Sequence, residues 1–303
     1  MTTSSSTLRS EGAGALVPVD EPDLRVRHRD LPVMLGGELD RLVGFVQIVR
    51  LLGGMLGVLG TLAAVAGVAL GLPMLTVVAV LLSTLILYAL WEDTRLASAL
   101  ELLRRRRMEA AEEALATIAG SPRRSAWQRQ RARTYLASLA WRRGDVEQAL
   151  SWIQARLAAP RRSREEPTER WLALATEAQL LAQAGHAAEA REALDRLPPP
   201  PPDEQAELVE AQTALLVAFV ADEPDRVRGR VDEWTPMIDE RDGVGLGVAL
   251  LAWANAGRGE RDRAIALTRE VRSRDRDGHL ARFYPRLWQW IERYDERYHP
   301  GRR

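Results

Sequence analysis

From Leu51 to Trp91 the chain carries no charged side chain, and Gly71, Leu72 and Pro73 interrupt this apolar run near its middle. A helix needs roughly 20 mostly apolar residues to cross a hydrocarbon core of about 30 Å. The run therefore predicts two membrane-spanning helices, about 51–70 and 73–91, joined by a tight turn. Residues 1–38 show no apolar period and are rich in Ser, Thr, Gly, Pro and charge, which predicts a disordered tail. From Leu39, the positions Leu42, Val43, Val46 and Val49 face away from Asp40, Arg41, Gly44, Gln47 and Arg50. They form either an interfacial helix or the start of the first span, so the anchor covers 39–91. Gly53 and Gly57, then Ala63, Gly67 and Gly71, place small residues four apart, which suits close packing within the hairpin better than dimerisation. Tyr88 and Trp91 end the second span with side chains suited to the membrane interface.

After Glu92 the pattern changes to amphipathic helices with regular punctuation. Turn positions recur at 106, 144, 185, 222 and 259, and a residue five further on is small in four of the five cases: Ala111, Ala149, Ala190, Val227 and Ala264. Pro122, Pro160, Pro198 and Pro236 follow, where they would stop each second helix. Residues 92–279 thus read as five helix–turn–helix units, and Leu280, Tyr284, Leu287, Ile291, Tyr294 and Tyr298 as one face of a terminal helix within 280–303 that covers the last unit. Trp288 falls off that face. The run Pro198 to Pro202 reads as a stiff spacer.

This order of apolar helix, Gly turn, small residue and closing Pro resembles the tetratricopeptide repeat, most closely over Ala132 to Pro160 and least in the third unit, where Asp222 and Val227 replace Gly and Ala. The expected fold is all-α, a transmembrane helical hairpin followed by an α-solenoid. The resemblance implies a ligand surface on the concave side, along the first helix of each unit. Mapped onto this chain, that surface holds Arg131, Thr134, Ser138, Trp141, Arg142, Gln179, Gln183, Gln212, Leu216, Phe219 and Trp253. It would be basic near the membrane and apolar away from it, suiting an extended peptide with one acidic and one hydrophobic end.

Composition narrows the reading. The 42 basic and 42 acidic residues cancel, which argues against a dedicated nucleic-acid binder. Cysteine is absent, which excludes disulfides and thiolate chemistry. The chain has no Lys and a single Asn, Asn255, a bias expected of a GC-rich bacterial genome. Arg41 and Arg50 precede the hairpin, Arg95 and the cluster Arg104, Arg105, Arg106 and Arg107 follow it, and its turn has none. Both termini are therefore expected on the cytoplasmic side of an inner membrane, with the cluster setting topology and touching anionic headgroups. His28, His186, His279 and His299 are dispersed, no nucleophile motif occurs, and Gly243, Gly245 and Gly247 lack the strand of a dinucleotide loop and read instead as the close-packed start of a helix. No metal, cofactor or catalytic set is expected. The reading is a membrane-anchored adaptor that recruits a protein or peptide; its alternative is a structural or oligomerising subunit of a membrane or secretion complex, with an enzyme a distant third.

Overall fold

The computed structural model describes residues 54–55, 57–58, 60–66, 68–70, 73–160, 167–242, 245–275 and 278–298, with the side chains of 73, 75, 79, 82 and 85–94 excepted. The expected tail, the helix from Leu39 and the positions Gly53, Gly67 and Gly71 lie outside them. Every regular element among the described residues is helical. Helical residues between 54 and 69 precede α1 (Pro73–Arg104), followed by α2 (Met108–Gly120), α3 (Ala126–Arg143), α4 (Val146–Leu157), α5 (Pro167–Ala184) and α6 (Ala187–Asp195). Then come α7 (Glu204–Ala221), a 3-10 turn (Pro224–Arg226), α8 (Val231–Arg241), α9 (Leu246–Gly257), α10 (Arg261–Arg274), α11 (His279–Phe283) and α12 (Pro285–Tyr298).

The five expected turn positions share one backbone conformation. Arg106, Gly144, Gly185, Asp222 and Gly259 are left-handed, with φ of 61°, 86°, 88°, 56° and 81°. At each, the turn N–H donates to the carbonyl three residues back and the next N–H to the carbonyl five residues back, at 2.9–3.2 Å. This double closure satisfies carbonyls that the end of a helix would otherwise leave without partners. The residue five positions on is buried every time, as Ala111, Ala149, Ala190, Val227 and Ala264. A small side chain there lets the second helix of each pair lie close against the first. Pro122, Pro160 and Pro198 stand just beyond the ends of α2, α4 and α6.

Pro236 departs from the expected pattern, because it lies inside α8. After the left-handed Asp222 the chain makes a 3-10 turn before α8 begins at Val231, so a proline at the expected spacing arrives early in the helix instead of after it. The terminal segment departs as well, being two helices. Tyr284, at φ −134° and ψ 56°, separates α11 from α12 because Pro285 excludes its predecessor from the helical region.

Successive helices pack on one another in chain order from α1 to α10, and α12 covers α9 and α10. A ladder of polar side-chain contacts repeats this order, each joining the second helix of one pair to the turn of the next. Glu112 meets Arg143, Glu147 meets His186 at 3.1 Å, Arg191 meets Glu223, and Asp232 meets Arg258 at 2.8 Å. These pairs are mostly solvated, so each adds little stability. One core extends from α3 to α12, and a second joins Leu96, Ala99 and Leu100 of α1 to Leu115, Ile118 and Ala119 of α2 and to Tyr135 and Leu136 of α3.

The N-terminal helical pair behaves differently. Met55, Val58, Leu62, Val65, Val68, Met74, Val77, Val78 and Leu81 are each more than half exposed. Only Gly57, Gly60, Ala64, Thr76 and Ser83 are half-buried among the described side chains of residues 54–84. A Cβ on Gly60 would stand 1.8 Å from the Ser83 hydroxyl oxygen, so the two helices cross there with almost no space between them. The small residues do serve packing within the hairpin, yet through Gly57, Gly60 and Ala64; Ala63 is exposed. Thr61 and Thr84 donate their hydroxyls to the carbonyls of Gly57 and Val80, both at 2.8 Å, which keeps those polar groups paired inside the helices. Among the described residues, no helix is long and apolar enough to cross a membrane.

Candidate partner-binding face

The residues expected to meet a partner lie on the first helix of each pair, α3, α5, α7 and α9. The Ser125 hydroxyl accepts from the Gln128 N–H while the Gln128 amide takes the Ser125 N–H, a reciprocal cap that fixes the start of α3. Asp203 caps α7 by accepting the Gln205 N–H at 3.1 Å. Arg131 pairs with Glu169 of α5 at 2.7 Å, and its guanidinium lies 5.6 Å from the Trp127 ring centroid. The Gln179 amide donates to the Thr213 hydroxyl at 2.8 Å, and Phe219 meets Trp253 edge-on at 5.5 Å.

These side chains do not line an open groove. Trp141 is 7% exposed and Trp253 5%. Thr134, Ser138 and Leu216 are buried too. What closes the face over Trp141 is the chain's own C-terminal segment. Phe283 stacks on Trp141 with centroids 4.4 Å apart and rings 16° from parallel, and His279 lies 6.0 Å from the same indole. Arg282 donates to the Arg142 carbonyl at 3.1 Å, across 140 residues of sequence. The Trp141 N–H donates to the Gln183 side-chain oxygen at 2.8 Å. Burial first, and the nearby Asp242 carboxylate second, push the Tyr284 phenol above its ordinary value.

Two buried carboxylates at helix starts nearby, Asp242 and Asp275, were not among the expected site residues. Asp242 accepts the Val248 N–H at 3.0 Å at the start of α9 and faces the Gln212 amide at 3.5 Å. Asp275 accepts the Leu280 N–H at 3.1 Å at the start of α11. Both precede a left-handed glycine by three residues, Gly245 at φ 82° and Gly278 at φ 66°. This Asp-x-x-Gly spacing, written twice, is a sequence signal for the two caps; each carboxylate suits the positive end of a helix. Gly247 behaves as expected of a close-packed helix start, since a Cβ there would meet Ile238 at 2.7 Å, whereas Gly243 lies outside the described residues.

Elsewhere, Pro198, Pro199 and Pro200 form one wall of an open cleft of about 390 Å³ with Leu194, Arg230 and Trp234, and the Pro198 carbonyl accepts the Trp171 N–H at 2.8 Å. Arg104 and Arg105 both pair with Glu101, at 3.2 and 2.9 Å, and Arg106 forms the turn after α1. His186 starts α6, half in solvent. Among the described residues no three His, Asp or Glu side chains gather as a metal site. No known protein family matches the chain, and no curated protein or solved structure shows a match to it.

Proposed function

We propose that this chain is a bacterial inner-membrane adaptor: a two-helix hairpin tethers a cytoplasmic, tetratricopeptide-like solenoid that recruits a protein or peptide. The observation that carries the membrane half is the row of large apolar side chains left more than half exposed from Met55 to Leu81, within a stretch that has no charged residue. A contiguous apolar surface of this kind demands a partner, and lipid is the one that suits both faces of a hairpin. Support for the repeat half comes from the five left-handed closures and the buried residue five positions after each. Recruitment through Trp141, Arg142, Gln183 and their neighbours then requires α11 to move aside. Membranes carrying the full chain, solubilised and captured through a C-terminal tag, provide the test: an adaptor brings down a soluble protein in stoichiometric amount. Failure of the chain to stay with membranes in alkaline carbonate would remove the anchor from the proposal.

One observation favours a structural subunit instead. The face that would bind a peptide is closed by the chain itself at Trp141, with Phe283 stacked there and Arg282 bonded to the Arg142 carbonyl. Capture of integral membrane proteins, with no soluble partner, would select this second reading.

A further inference from the structure

We infer that the connector between α2 and α3 rests on anionic lipid headgroups through Arg123 and Trp127, and that the Arg104–Arg107 cluster does not reach them. The inference depends on the membrane anchor proposed above. Helix α1 continues unbroken from the end of the charge-free run at Trp91 to Arg104. The chain then reverses at Arg106, and α2 returns along α1, setting Leu115, Ile118 and Ala119 against Leu96, Ala99 and Leu100. Helix α2 has 13 residues, a return of about 20 Å, and Trp91 lies the same number of residues before Arg104. The connector that follows α2 therefore comes back to the level at which the apolar run ends. The arginine cluster stands about 20 Å away, well beyond the Debye length of about 8 Å at physiological ionic strength.

The connector is built for a surface. Arg129 donates to the carbonyls of Ser121 at 3.4 Å, Pro122 at 3.1 Å and Arg124 at 2.9 Å, which fixes its shape in advance. Pro122 and Arg123 are exposed at its tip. Trp127 follows in the first turn of α3 at 39% exposure; outside the N-terminal helical pair, the only other large apolar side chain so exposed among the described residues is Met108, at the opposite end of α2. Indole rings favour the boundary between lipid and water, and a neighbouring arginine adds attraction to anionic headgroups.

Because the chain has no cysteine, single spin labels can be placed without altering any other residue. The full chain, carrying Pro122→Cys, Met108→Cys or Leu81→Cys, is reconstituted into phosphatidylglycerol–phosphatidylcholine vesicles doped with a nickel-chelating lipid, which relaxes nitroxides close to the headgroups. The label at 122 should relax strongly and the label at 108 should not, while the label at 81 responds to oxygen and not to water-soluble nickel. Adding Arg123→Glu and Trp127→Ala to the chain labelled at 122 should reduce the nickel-lipid effect. Equal relaxation at 122 and 108, or no change with the double substitution, overturns the headgroup contact. A label at 81 that reports water overturns the anchor and this inference with it; a label at 81 in hydrocarbon with 122 remote overturns this inference alone.

Discussion

At the residue scale, the left-handed position that closes a first helix sets opposite demands at different units. Gly144 occupies it without penalty, whereas Asp222 carries a Cβ in a conformation that costs L-residues roughly 1–2 kcal/mol. Gly144→Ala should therefore destabilise the helical domain by about 1 kcal/mol and Asp222→Gly should stabilise it by a similar amount, read as urea midpoints from tryptophan fluorescence. Equal signs for the two would contradict the shared closure. Tyr284 makes a pH prediction. Burial, then the Asp242 charge, raises its phenol above the usual value, with Gln183 opposing, so the folded chain holds this proton more tightly than the unfolded chain. The contribution is complete below an unfolded pKa of about 10 and is lost as the pH rises past it, because unfolding then releases a proton. Stability should fall from about pH 10 upward, and Tyr284→Phe should flatten that fall; the slope that remains has a source in Tyr294, whose phenol is raised chiefly by burial. An unchanged slope would remove Tyr284 from the buried set.

At the element scale, the decisive feature is the return of α11 to α3. Deleting residues 279–303 uncovers Trp141, which loses its stack with Phe283, and should shift tryptophan emission to the red and speed proteolysis near Arg142. Trp141→Ala in the intact chain should cost about 3–5 kcal/mol, the range for a large buried aromatic; loss of partner capture with an unchanged melting temperature would instead mark it as a contact residue. The turns at 106, 144, 185, 222 and 259 were legible in the sequence because a left-handed closure leaves a local signature in small residues and spacing. The occupancy of Trp141 was not, since it depends on contact across 140 residues, which no helical period encodes. The break at Tyr284 was legible in principle, as Pro285 marks it, but the apolar spacing from Leu280 to Ile291 bridges two helices that bury the same side. The polar ends of Arg131, Gln179 and Gln212 meet Glu169, Thr213 and Asp242, partners that lie on or at the end of other helices and that no spacing along one helix reveals.

At the scale of the whole molecule, α1 belongs both to the apolar hairpin and to the helical domain, and this decides where the chain can be divided. Leu96 and Leu100 are 4% and 1% exposed in the pocket made by Leu115, Ile118, Tyr135 and Leu136. A cut at the end of the charge-free run keeps this pocket filled, so a fragment of residues 92–303 should be soluble, almost wholly helical by circular dichroism and cooperative in urea. A fragment of residues 108–303 starts at α2 and leaves the pocket open. Burying one leucine side chain contributes about 1.5–3 kcal/mol, so the loss of two amounts to about 3–6 kcal/mol, a large part of the 5–15 kcal/mol typical of a domain. The shorter fragment should melt markedly earlier or aggregate, with the first protection lost in α2 and α3 by hydrogen exchange. If both fragments unfold at the same urea concentration, α1 carries no structural load beyond the hairpin, and the hairpin would then be free to move independently of the helical domain.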